Sequence, residues 1–150
     1  MLKYTLIPEG FFPQADAREL LSKVVVLEKN ETVKRLELPC YKAVLLYAGD
    51  DAAASAIASQ VAAAAALDQY NKVVVSLGGD SVAIVVAQGG RLLLCNSYPA
   101  GDGVTAQYFI FAALRQFQIN PAVTTVYFHG EADDSVKGDL FRYFASVEVL

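Results

Sequence analysis

The chain has 150 residues, 55% of them hydrophobic and 19% charged, which is the composition of one folded domain and excludes a disordered polypeptide. Twelve basic residues against sixteen acidic ones leave a net charge of −4, so there is no electrostatic footprint for a nucleic-acid backbone or an anionic membrane surface. The two cysteines, Cys40 and Cys95, are too few and too far apart for a disulfide framework. Each lies in an apolar run and is expected to be a buried free thiol. The N-terminus lacks the pattern of a secretory signal, and a reducing, cytoplasmic compartment is the expectation. Ala52–Leu67 is the one stretch that could be mistaken for a membrane span, but it is mostly alanine and too short, so no membrane insertion is expected.

In chain order, Tyr4–Ile7 is a short apolar stretch, broken by Pro8-Glu9-Gly10 and Pro13 before a helical pattern at Ala15–Ser22. Val24–Leu27 reads as a strand, Glu28–Glu31 as a polar turn, and Thr32–Leu38 as a half-buried strand ended by Pro39. Val44–Ala48 is a third apolar run. Asp50 or Asp51 is placed to cap the alanine-rich helix that follows, whose small side chains suit close packing on a sheet. Three β-rich runs come next, Lys72–Leu77, Ser81–Ala87 and Arg91–Ser97, joined by Gly78-Gly79-Asp80 and Gln88-Gly89-Gly90. Short glycine-bearing links of this kind make an antiparallel meander. After the loop Tyr98–Gly103, a helix is expected over Val104–Phe117, capped by Asp102 or Thr105 and closed by Asn120-Pro121. A strand at Thr124–Phe128, a loop at His129–Asp134, a helix at Val136–Ala145 and a strand at Val147–Leu150 complete the chain.

That order locates a site without any motif. In a meander the first and third strands run the same way, and the right-handed crossover makes the strand after the helix parallel to both. Three carboxyl ends then share one edge, where open α/β sheets bind ligands. Their loops are Gly78-Gly79-Asp80, Pro99–Gly103 and His129–Asp134. Glycines in such loops also have purely geometric reasons, and that plainer reading carries slightly more weight.

The succession resembles the second ribonuclease-H-like subdomain of the actin, Hsp70 and sugar-kinase superfamily. Val73–Ser81, with Gly78-Gly79-Asp80-Ser81, is similar to its phosphate hairpin, and Val126–Glu131, with Gly130, to its adenosine strand. More closely, Tyr4–Glu9, Gly90–Ser97, and Gly130 followed by Phe141–Phe144 resemble an uncharacterised bacterial (Bacteroidetes-type) family of unknown function with an actin-like ATPase fold. The resemblance implies an α/β fold, a ribonuclease-H-like mixed sheet with flanking helices over Lys72–Leu150, and an N-terminal α/β part, Met1–Tyr70, packed on it as one unit. It also implies a nucleotide site at Gly78, Gly79, Asp80, Ser81, Gly101, Gly103 and Gly130.

Two departures weaken that site. Ser76 stands where the superfamily hairpin carries a metal-directing aspartate, and Glu131 follows Gly130 where a second glycine is usual. A nucleotide in this superfamily lies between two lobes, and a bilobed version needs considerably more chain. Other chemistry is set aside on the residues: no G-x-S-x-G accompanies the single histidine, His129, and no Walker lysine follows Gly78-Gly79. Two cysteines and one histidine do not reach zinc-ligand spacing, and Asp50-Asp51 and Asp133-Asp134 read as carboxylates at helix N-termini. Aromatics exceed what the core needs, so some of Tyr108, Phe109 and Phe111 are expected to form an exposed interaction surface. The leading expectation is a non-catalytic module, without cofactor or metal, that binds a protein partner or its own copy. The alternative is a Mg-ATP-binding member of the superfamily.

Overall fold

A computed structural model of the chain describes residues 1–11 and 16–150, so Pro13 and Ala15, assigned above to a break and a helix start, lie outside the described residues. The chain divides into two compact units, Met1–Ala62 and Ala63–Leu150.

The first unit is built on a three-stranded antiparallel sheet in the order β1-β3-β2, with β1 at Lys3–Pro8, β2 at Lys34–Leu38 and β3 at Ala43–Ala48. The central strand β3 is apolar along its length and almost wholly buried, whereas the edge strand β2 exposes Lys34, Arg35 and Glu37. Helix α1, Ala17–Ser22, is started by Asp16, whose carboxylate accepts from the Arg18 N–H, and it buries Leu21 among Ile7, Val44, Leu46 and Ala48. Helix α2, Asp51–Ala65, begins in this unit; the Asp50 carboxylate accepts from the Ala52 N–H, so Asp50 is the cap. Its buried residues, Ala54, Ile57, Gln60, Val61 and Ala64, fall three and four apart on one stripe.

Two sequence expectations fail here. Val24–Leu27 is not a strand: the Val24 and Val25 N–H groups both donate to the Leu21 carbonyl, prolonging the end of α1, so they are withdrawn from any ladder. Val25 and Leu27 still pack on the core while Val24 and Val26 point outward, which explains the strand-like alternation. Cys40 is not buried. It lies in a 3-10 turn at Pro39–Tyr41 and is exposed, because Pro39 takes the chain out of β2 before Cys40 is reached; Cys95 is half-buried.

The second unit carries a five-stranded mixed sheet in the order β6-β5-β4-β7-β8. Strands β4 (Asn71–Leu77), β5 (Ser81–Gln88) and β6 (Arg91–Pro99) form the expected meander, with an extra residue, Leu93, opposite Val86 and Ala87. Strand β7, Thr125–Phe128, pairs parallel with β4, and β8, Ser146–Val149, pairs parallel with β7. The connection through α3, Gly103–Gln116, leads to the first of these pairings, and α4, Asp134–Phe141, to the second. Alternate residues of the strands, among them Val73, Val75, Ile84, Val126 and Phe128, meet Ile110, Leu114 and Leu140 of the helices in one fully apolar layer. Helix α3 ends earlier than the Asn120-Pro121 pair: Gln118 takes a left-handed conformation, φ 55°, and the Ile119 N–H returns to the Leu114 carbonyl. Asn120 then caps a separate 3-10 turn at Pro121–Val123. No helix among the described residues is long and apolar enough to cross a membrane.

Candidate functional site

Because β4, β6 and β7 all run the same way, their carboxyl ends reach one edge of the sheet, and the three loops that leave them border a common cavity of about 430 Å³. The first loop is a tight turn closed by the Gly78 N–H donating to the Ser81 carbonyl at 2.8 Å. The second is tied to the first, since the Ala100 N–H donates to the Asp80 carbonyl at 2.9 Å. The third leaves β7 through His129, whose N–H extends the ladder to the Val75 carbonyl at 2.8 Å, and turns at Gly130 with φ 91°, where a side chain would be strained.

Of the residues singled out in the sequence, Gly78, Gly79, Ser81, Gly101 and Gly103 line this cavity, and Asp80 and Gly130 do not. Ser76 is absent from the lining as well. It falls out of phase with Val73 and Val75, which face the helix layer, so by strand alternation it belongs to the other face of the sheet. The glycines differ in what they do. An added Cβ at Gly79 or Gly101 would meet only open space, so these two keep the rim low. At Gly103 it would lie 2.6 Å from Val136 Cγ2, so this glycine is what allows the start of α3 to touch α4.

The loops Pro99–Gly103 and His129–Asp134, expected on this edge, bring three carboxylate residues, Asp102, Glu131 and Asp133, to the cavity lining. Two of the carboxylates are engaged at helix starts: Asp102 accepts from the Thr105 N–H and Asp133 from the Ser135 N–H, each at 2.7 Å. The Thr105 backbone N–H, helped by its hydroxyl, holds the Asp102 carboxyl below the usual carboxylate range, so it stays ionised. Both fall where the sequence expected helix-start carboxylates, each in a loop that follows a carboxyl end of the sheet. The polar part of the lining is therefore acidic, with no lysine or arginine among the described residues. Nor do any three His, Cys, Asp or Glu side chains among the described residues gather to hold a metal ion.

The three aromatics named in the sequence divide in a similar way. Phe109 stacks on Tyr98 with ring centroids 4.7 Å apart. Phe111 packs edge-on against Tyr143 at 5.4 Å and near Phe144, while Tyr108 is 61% exposed. Tyr108 and Phe111 form part of a shallow apolar groove, also about 430 Å³, floored by Leu114 and Ile119 and bordered by Tyr143, Pro121, Gln107 and Arg115. Phe109 lies outside it.

Among solved structures, the chain is similar to a Bacteroides thetaiotaomicron protein with an actin-like ATPase fold and unknown function. The TM-score is 0.80 at 18% identity, over 99% of this chain and 65% of that one. It is also similar to a chain of the PilM-PilN type IV pilus biogenesis complex, with a TM-score of 0.50 at 13% identity, over 100% of this chain and 66% of that one. The chain thus has an actin-like ATPase fold and spans slightly under two thirds of the length of either neighbour. No curated protein matches its sequence. The family model described as "Protein of unknown function (DUF3822)" matches residues 51–147, and the chain belongs to that family.

Proposed function

We propose that this protein is a non-catalytic actin-like module that works through protein–protein contact. The observation that carries the reading is the contrast between its two concave surfaces. The loop cavity, where a nucleotide's phosphates belong in the superfamily the sequence resembles, is lined by Asp102, Glu131 and Asp133 without a balancing cation. Bringing phosphate oxygens among them is electrostatically unfavourable. The second surface, around Tyr108, Phe111 and Tyr143, is apolar and aromatic with a single cation at its border, which is the composition of a protein-binding patch. A fold neighbour drawn from a pilus-biogenesis complex gives this reading a precedent in kind.

Two measurements test it. A thermal melt with millimolar Mg-ATP is expected to leave the transition unchanged; a ligand at 100 times its dissociation constant would add about 2.7 kcal/mol, and a rise of that size overturns the non-catalytic half. For the contact half, a photo-crosslinking residue at position 108 is expected to give a protein adduct in cells that the same residue at position 26 does not. Equal labelling at both positions, or none, removes the interaction reading.

A further inference from the structure

Among the described residues four strands stand at the edges of the two sheets, and β6 is the longest of them, with nine residues of which none is buried. An edge of that length is a template for pairing with another chain unless something blunts it, and charge or shortness is the usual means. The β2 edge carries Lys34, Arg35 and Glu37, and β8 is four residues long and includes Glu148. β6 carries no charge from Leu92 to Pro99. Its side chains are committed elsewhere: Leu93, Leu94 and Tyr98 pack on the helix layer, and Tyr98 stacks on Phe109.

The backbone does the guarding instead. The Ala100 N–H donates to the Asp80 carbonyl, so by the alternation of an antiparallel ladder Leu94, Asn96 and Tyr98 turn their backbone groups toward β5, and Cys95, Ser97 and Pro99 turn theirs toward the open side. Pro99 has no N–H to offer an incoming strand. The Ser97 N–H already donates to the side-chain oxygen of Asn96 at 2.9 Å. The extra residue Leu93 sets the outward positions on its two sides, Leu92 and Cys95, three residues apart instead of two, so a regular strand falls out of step across it. We infer that β6 is closed to strand addition: Pro99, the Asn96–Ser97 bond and the Leu93 bulge together keep another chain, a second copy or a different protein, from extending the five-stranded sheet at this edge. The inference stands apart from the contact reading above and narrows it, because a partner is then met by side chains and not by backbone pairing at β6.

The test is amide hydrogen exchange and sedimentation equilibrium on the full chain. The Ser97 amide is expected to be protected although it faces away from β5, and Asn96→Ala should speed its exchange by about fivefold or more. Asn96→Ala combined with Pro99→Ala frees one outward donor and creates a second two residues on. That double variant is expected to self-associate, its average mass rising with concentration while the amides of residues 95–99 gain protection. Arg91→Ala removes the one charge of the strand and should behave as wild type, since charge is not the guard. Circular dichroism checks that each variant is folded; if the double variant is not, the Ser97 exchange rate in Asn96→Ala still decides. An unchanged Ser97 rate in Asn96→Ala overturns the inference. So does a folded double variant no more associated than wild type, association of Arg91→Ala equal to that of the double variant, or a wild type whose 95–99 amides become protected as concentration rises. Crosslinking at position 108 is read independently of all of these, so either reading can fail without the other.

Discussion

The two compact units hold themselves together by different means. In Ala63–Leu150 the sheet and two helices enclose one continuous apolar layer, with Val73, Val75, Ile84, Ile110, Val126 and Phe128 all fully buried. In Met1–Ala62 the core around Leu21 and Leu46 is smaller, and charged groups tie the periphery. Lys3 pairs with Glu31 at 2.6 Å, the Arg18 guanidinium donates to the Glu28 and Glu31 carbonyls, and Asp51 accepts from both Lys34 and Tyr47. Dispersion and area burial dominate the first arrangement, where the capping carboxylates act at the surface, at helix starts, whereas carboxylates join separate elements of the second and respond to protons.

Truncating the larger core should give the greatest loss. Phe128→Ala is expected to cost about 3–5 kcal/mol in urea titrations, and Leu21→Ala in the smaller core about 2–5 kcal/mol. Equal, small losses at both positions would erase the contrast. Gly103→Ala should cost about 1–3 kcal/mol by overpacking against Val136, and the double variant with Val136→Ala should recover much of it. Additive losses would mean that the close approach of α3 and α4 is not what requires glycine. Removing a cap is smaller again: Asp133→Ala should lower stability by about 1 kcal/mol, and Asp133→Asn by much less.

The smallest effect is the one that distinguishes the units most directly. Hydrogen bonding to Lys3, and then to the Glu28 backbone, holds the Glu31 carboxyl below its ordinary value of 4.5. A depressed folded value contributes stability above the unfolded value, and that contribution is lost as pH falls through the folded one. Amide protection in Met1–Ala62 should therefore weaken below about pH 4.5 before it does around Phe128. Lys3→Met should flatten that dependence. An unchanged acid response in Lys3→Met would show that the pair makes no difference to folding.

Much of the second unit was legible because its signals are local. Glycine-bearing turns between β-branched runs defined the meander, and the crossover rule then fixed the direction of β7 and hence the common edge of three loops. The same reasoning failed at Val24–Leu27, where β-propensity and alternation were real but the Leu21 carbonyl had already taken the amides. It failed at Cys40 because a proline one residue earlier turned the side chain outward. Ser76 was read as the residue standing where the superfamily carries an aspartate, and the phase of the strand puts it on the face away from the helix layer.

By itself the sequence determined the order of most elements and the meander, because each depends on residues close together in the chain. Only the tertiary structure decided which carboxylates share the cavity with the glycines, why Gly103 must be glycine, and which aromatics remain uncovered. Those are distances between side chains brought together by packing from separate elements, and no local pattern encodes them.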